Sequence, residues 1–271
     1  MTRNGAARAL PRVYIALILA LLYVPIILVI VYSFNEARIS SVWSGFSLKW
    51  YAELFSDRSM FEALRNSLVL ASLSSACAAV VGTLGAAGMS ARAAGGAAAT
   101  RAPRVMEYMA TLPIMIPEII LGMVFLAFFS LLGLPFGMLT LVIAHTSFCI
   151  PYVYLMVKAR IAGLDKSYAE AARDLGAGGA RAFRDVTLPL ITPAIISGML
   201  LSFAMSFDDV IISMFVTGVS VNTLPIKIYT QLKTGVSPKV NAMCTLLFAA
   251  TVILGALSAW IGRPRRQRAA K

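Results

Sequence analysis

Apolar positions along this chain fall in long continuous runs, not in alternating or one-faced stripes. Six runs stand out, at residues 13–32, 66–89, 106–132, 138–157, 190–216 and 240–261. A bilayer core needs about 20 apolar residues of helix. The pattern therefore predicts an all-α membrane protein with six spans, forming one domain over residues 1–271. The first run is longer than the apolar part of a cleaved signal, about 7–15 residues, and no small-residue cleavage pattern follows it, so it reads as a retained span. In the second run Ala78, Gly82 and Ala86 recur at helical spacing, which lets a neighbouring helix approach closely. Pro113 and Pro117 interrupt the third run, and residues 91–104 (ARAAGGAAATRAPR) read as a basic flexible linker.

The longest polar break that still has folding signals is residues 160–189. Ser167 and Glu170 form an S-x-x-E capping box, which starts a helix by satisfying orphan N–H groups. Gly176 sits where that helix, about 168–175, should stop, because glycine takes the left-handed position after a helix at no steric cost. Gly178 and Gly179 keep the chain turning, Ala180 to Leu188 can form a second short helix, and Pro189 is tolerated in the first turn of whatever helix follows. The plainer alternative is a solvated loop with some helical character.

Charge sets the orientation. Only 13% of residues are charged, against about 25% in soluble domains. The net charge of +12 does not point to nucleic acid, because the cations lie between apolar runs and not on one soluble face. With the N-terminus inside, 17 of the 24 Lys and Arg residues fall on the inner side. The positive-inside rule then places both termini and the 160–189 segment in the cytoplasm. Cys77, Cys149 and Cys244 lie inside apolar runs with no neighbour at metal or redox spacing, so they read as small buried hydrophobes.

The chemistry resides in a few polar side chains. There is no phosphate-cradling G-x-x-x-x-G-K-[ST] run, no His/Cys cluster and no hydrolase motif, so neither a catalytic residue, a metal nor a cofactor is expected on this chain. Glu118, Asp208 and Asp209 fall inside apolar runs. An acid there costs about 2.5–3.5 kcal/mol on insertion scales and usually faces a cavity or a partner. Ser202, Ser206, Asp209 and Ser213 share one helical stripe, which should line a water-filled path or a helix–helix contact. His145 reads first as bonded to a neighbouring helix. Trp43 and Trp50 read first as interfacial anchors, with stacking on amine-bearing chains as the alternative.

Glu170-Ala171-Ala172, then Gly176, then Leu188-Pro189 resemble the EAA loop of permease subunits of bacterial ABC importers. The stretches GFSLKWYAELF and SFDDVIISMFVTG, with TLPIKIYTQLKTGVSPKVNA after it, resemble permeases of the spermidine/putrescine type. The resemblance implies the type I ABC importer permease fold in the bacterial inner membrane. It implies a second permease, a pair of ATP-binding subunits and an external solute-binding protein as partners, with ATP bound only by the partner. Glu170, Ala171, Ala172, Arg173, Gly176, Leu188 and Pro189 would dock the ATPase. Asp208, Asp209, Glu118, Ser206, Ser202 and Trp50 would line the path of a polycation, since each amine can trade water for a charge-assisted bond. The alternatives are an importer of another amine or an opine-like solute, and, from a different class, a passive cation channel or a membrane-embedded enzyme.

Overall fold

A computed structural model of the protein describes residues 3–38, 42–94, 101–165, 167–219, 221–233, 235 and 237–261. Part of the 91–104 linker and the basic tail from 262 onward lie outside the described residues. The described chain is helical, as the hydropathy pattern requires. In order it runs α1 (Arg3–Tyr32), α2 (Lys49–Ser56), α3 (Arg58–Ala94), α4 (Arg101–Met115), α5 (Glu118–Leu131), α6 (Met138–Ala162), α7 (Ser167–Asp174), α8 (Gly179–Ala182), a π-helical turn (Phe183–Thr187), α9 (Leu188–Asp208), α10 (Ile211–Val216), α11 (Leu224–Lys233) and α12 (Pro238–Ile261).

Among the described residues, four helical stretches are long and apolar enough to cross a membrane: Pro11–Tyr32, Arg58–Arg92, Met138–Ala162 and Gly179–Asp208. A fifth is a broken pair, Val105–Met115 with Glu118–Leu131, bent by 107°. Pro117 makes that bend. It has no N–H to give, it disfavours helical geometry at Ile116, and it sits in extended conformation (φ −54°, ψ 133°) just before α5. Pro113, expected to interrupt as well, stays inside α4. The apolar part of α12 over Pro238–Ile253 is shorter.

One linker and one expected span differ from the sequence reading. The linker read into residues 91–104 is shorter than expected, because α3 continues to Ala94 and α4 already starts at Arg101. The run 190–216 is not one helix: α9 stops at Asp208, Asp209 is extended (φ −66°, ψ 127°), and α10 starts at Ile211. No proline or glycine marks that break, so its cause must be tertiary.

Contacts divide the chain into two units, Met1–Met60 with Ile228–Lys271, and Phe61–Lys227. In the first, α1 and α2 both pack on α12. Asn35 organises the connection between α1 and α2. Its Nδ2 donates to the Val42 carbonyl (2.7 Å), its Oδ1 accepts from the Ser44 N–H (2.9 Å), and its own carbonyl accepts from Trp50 Nε1 (2.7 Å). Lys239 Nζ pairs with Asp57 Oδ2 at 2.7 Å and ties the start of α12 to the α2–α3 junction.

In the second unit α6 is the central helix. Its buried face runs from Thr140 to Val157, and it packs along α9. Without a hydrophobic drive between helices in lipid, close packing and interhelical hydrogen bonds must hold such a bundle. Both are present. A Cβ on Gly82 of α3 would lie 2.9 Å from Val153 Cβ, and one on Gly198 of α9 would lie 2.9 Å from Val153 Cα. Two glycines thus let α3 and α9 close on the same residue of α6, and the small-residue stripe in the second run anticipated the α3 side alone. Ser202 Oγ donates to the Cys149 carbonyl (3.2 Å) while Cys149 Sγ donates to the Ser202 carbonyl (3.4 Å).

Candidate functional site

Two places carry features that packing alone does not explain: the solvent-facing segment α7–α8, and the break between α9 and α10.

No residue of α7 is buried. At its start the Tyr168 N–H donates to the Asp165 carbonyl (3.4 Å) and the Ser167 N–H donates to Asp165 Oδ1 (2.9 Å). That bond holds the Asp165 carboxyl below its ordinary range. Its end is a Schellman arrangement. The Gly176 N–H donates to the Arg173 carbonyl (2.8 Å), the Ala177 N–H donates to the Ala172 carbonyl (3.0 Å), and Gly176 has φ +85°. Glu170, Ala171, Arg173 and Gly176 are exposed, Ala172 is half-buried, and Leu175 is 89% exposed. Arg184 Nε donates to Asp185 Oδ1 (2.7 Å). A short helix with no buried residue and an apolar residue at its tip gains little from its own fold.

The expected second short helix does not end before Pro189. It runs through the π turn straight into α9, and the Leu188 N–H reaches back five residues to the Phe183 carbonyl. Pro189 has no N–H and its ring crowds the carbonyl four residues earlier, so the wider turn accommodates it. From α8 onward, the π turn and α9 therefore form one continuous 30-residue helix, Gly179–Asp208, and α7 is set off from it by the turn at Gly176.

At the other end of that element lies the polar stripe. Ser202, Ser206, Asp209 and Ser213 are all buried, and they meet α6. Asp209 Oδ1 accepts from the Ile212 N–H (3.2 Å) and Oδ2 from the Ser213 N–H (2.8 Å). These are orphan donors at the start of α10, and capping them stabilises a helix that lacks a preceding turn. His145 of α6, fully buried, places Nδ1 2.8 Å from Ser206 Oγ and Nε2 3.0 Å from Ser213 Oγ, with Asp209 Oδ2 at 3.4 Å. Ser202 is occupied with Cys149.

Asp208 and Glu118 are different. Both are exposed. Asp208 ends α9, where a negative charge opposes the helix dipole. Glu118 opens α5 at the 107° bend, where the dipole favours it. Both aspartates lie within electrostatic range of the Glu118 carboxylate. Helix α10 packs on α5, and a Cβ on Gly122 would lie 2.5 Å from Phe215 Cδ2, so the two short elements interlock. An exposed acid that gains nothing from its own helix suits attraction of a cation. Trp50 belongs to the other unit, is 6% exposed, and spends its Nε1–H on Asn35.

Gly122, Gly198 and Phe215 were not singled out from sequence, and nothing local marks them. His145 was, but as a bond between two helices. Its two nitrogens on two different elements could be found only from the position of the break.

Residues 84–263 match the family model described as "Binding-protein-dependent transport system inner membrane component". The "Putrescine transport system permease protein PotI" of Escherichia coli (strain K12) is 38% identical over 255 residues, covering 91% of this chain and 89% of that protein. The "Spermidine/putrescine transport system permease protein PotC" of Haemophilus influenzae is 37% identical over 250 residues, covering 92% and 95%. Among solved structures, a bacterial ABC transporter involved in import of the acidic polysaccharide alginate superposes with TM-score 0.73 at 15% identity, over 96% of this chain and 98% of that one. The MetNI methionine ABC transporter superposes with TM-score 0.63 at 19% identity, over 74% and 95%.

Proposed function

This chain belongs to the family of binding-protein-dependent transport system inner membrane components, and from that premise we propose that it is the permease subunit of a bacterial ABC importer for polyamines, putrescine or spermidine. It works in the inner membrane with six spans, α12 being the last, and with both termini in the cytoplasm. ATP is bound and hydrolysed by a pair of partner subunits, so this chain itself carries neither cofactor nor catalytic residue. A second permease subunit completes the path, and an external binding protein delivers the solute.

The similarity to the two polyamine permeases over nine-tenths of the chain carries the reading. The site's geometry agrees with it physically. Glu118 and Asp208 present two exposed carboxylates to a flexible dication, each able to replace water by a charge-assisted bond. Occupancy must stay weak enough for release, and two exposed carboxylates meet that condition better than a buried one would. Glu170 to Gly176 dock the ATPase. α7 packs on α8 and the π turn, which run without a break into α9, so a push on α7 would reach Asp208 through that packing and the helix behind it.

The test is uptake of labelled putrescine and spermidine by cells that lack their own importers and express this chain with its partner subunits. ATP-dependent uptake is expected. Asp208→Asn should lower it about tenfold, the worth of one hydrogen bond to a charged group, with the chain still in the membrane. Uptake that continues without ATP hydrolysis would instead make the chain a passive channel, and uptake of neither polyamine would remove the substrate assignment.

A further inference from the structure

His145 is a fully buried titratable side chain of the second unit that the proposed path does not use. Its position is unusual. It sits on the central helix α6, and its two ring nitrogens reach opposite sides of the break in the fifth span: Ser206 on α9 and Ser213 on α10. Asp209, in the break itself, lies beside the same Nε2. Helix α10 has only six residues, too few to hold together by its own hydrogen bonds. Two other ties reach it. Thr140 Oγ1 donates to the Val216 carbonyl (3.0 Å), and Phe215 fits the notch left by Gly122. Both act at the far end of α10. At the near end, beside the packing of buried Ile212, the polar tie is His145 with the Asp209 cap.

We propose that His145 is a positioning residue that bolts α9 to α10 across the break, holds the Asp209 carboxylate on the first turn of α10, and thereby leaves Asp208 turned outward. The hydrogen-bond roles are consistent with this. With its proton on Nε2, the ring donates toward Ser213 Oγ and Asp209 Oδ2 and accepts the Ser206 hydroxyl at Nδ1. The opposite tautomer would face an Nε2 lone pair toward the carboxylate. Adjacent aspartates on one continuous helix would point about 100° apart. Here the extended backbone at Asp209 and the imidazole behind it separate one carboxylate, spent inside, from the other, left exposed. The consequence for transport rests on the importer reading; the bolt itself does not.

The experiment uses the full importer complex in lipid nanodiscs and reads two quantities. One is amide exchange of the 209–216 peptide, with 70–86 in α3 as control. The other is polyamine uptake at saturating solute in proteoliposomes. His145→Leu keeps an apolar filling but removes both ties, and should speed exchange at 209–216 about tenfold or more, leave 70–86 unchanged, and lower uptake by a similar factor. His145→Gln keeps one donor and one acceptor and should restore both. Ser213→Ala removes one hydroxyl only and should speed exchange a few-fold, which keeps the test valid if His145→Leu does not accumulate. Unchanged exchange at 209–216 in His145→Leu or Ser213→Ala overturns the proposal. So does an equal rise at 70–86, or a glutamine that exchanges as fast as leucine. If exchange responds as expected but no form takes up polyamine, the bolt stands and the transport reading falls.

Discussion

Replacing Gly176 isolates one physical quantity, the left-handed backbone that ends α7. Nothing lies within 4 Å of a Cβ built on Gly176, so a side chain meets no clash within the chain. The whole intrinsic cost is φ +85°. For alanine that costs about 1–2 kcal/mol, while asparagine tolerates the region better. Elsewhere in the chain such a cost would be absorbed by tertiary contacts. Here α7 has eight residues and none is buried. A helix below about 12–15 residues is marginal in water even with good propensity. The Schellman pair of hydrogen bonds, Gly176 N–H to Arg173 and Ala177 N–H to Ala172, is therefore a large part of what holds it. A loss of about 1–2 kcal/mol lowers the helical population of α7 roughly 5–30-fold. The expected order, for amide exchange over 167–175 and for solute-stimulated ATP hydrolysis by the reconstituted complex, is Gly, then Asn, then Ala, then Val. Asparagine is larger than alanine, so the order separates two causes. If the docking partner excludes any side chain here, asparagine falls below alanine. Alanine equal to glycine, or asparagine below alanine, refutes the backbone argument.

The same kind of reasoning covers two further changes. Gly198→Ala should lower the melting temperature of the detergent-solubilised chain by an overpacking cost of about 1–3 kcal/mol, because its Cβ would meet Val153 Cα at 2.9 Å. Gly88→Ala, with open space around it, should not lower it. For pH, the Asp165 carboxyl is held below its ordinary value of 3.8 by the Ser167 N–H. A lowered folded value means its support for the start of α7 is fully present above the unfolded value and is lost as pH falls through the folded one. Exchange over 167–175 should therefore be flat from pH 8 to 5, after correction for the intrinsic rate, and rise only below about 4. A rise between pH 7 and 5 would show that another group governs this end.

Hydropathy alone located the apolar helices, because the cost of an unpaired backbone in lipid leaves a chain few other ways to cross a membrane. The stop of α7 was equally legible. Gly176 takes its left-handed conformation for a local reason, and local reasons are written in local residues. The 107° bend at Pro117 belongs to the same class. What sequence could not show is the break at Asp209. The residues around it, Ser206-Phe207-Asp208-Asp209-Val210-Ile211, hold no glycine or proline, and helical spacing alone places Asp209 in a stripe with Ser202, Ser206 and Ser213.

That stripe exists, but α6 decides what it does. His145 lies 61 residues from Ser206 and 68 from Ser213, and only the packing of α6 along α9 brings its imidazole between them. Gly198 permits that approach, and the imidazole and the Ile212 and Ser213 amides then make a buried carboxylate stable in the break. Residue order therefore determined which segments are helical and where local chemistry ends or bends them. Whether an acid inside a span is a buried cap or an exposed charge depends on which donors surround it. Those donors come from elsewhere in the chain, so for Asp208 and Asp209, neighbours in sequence, the answer is opposite.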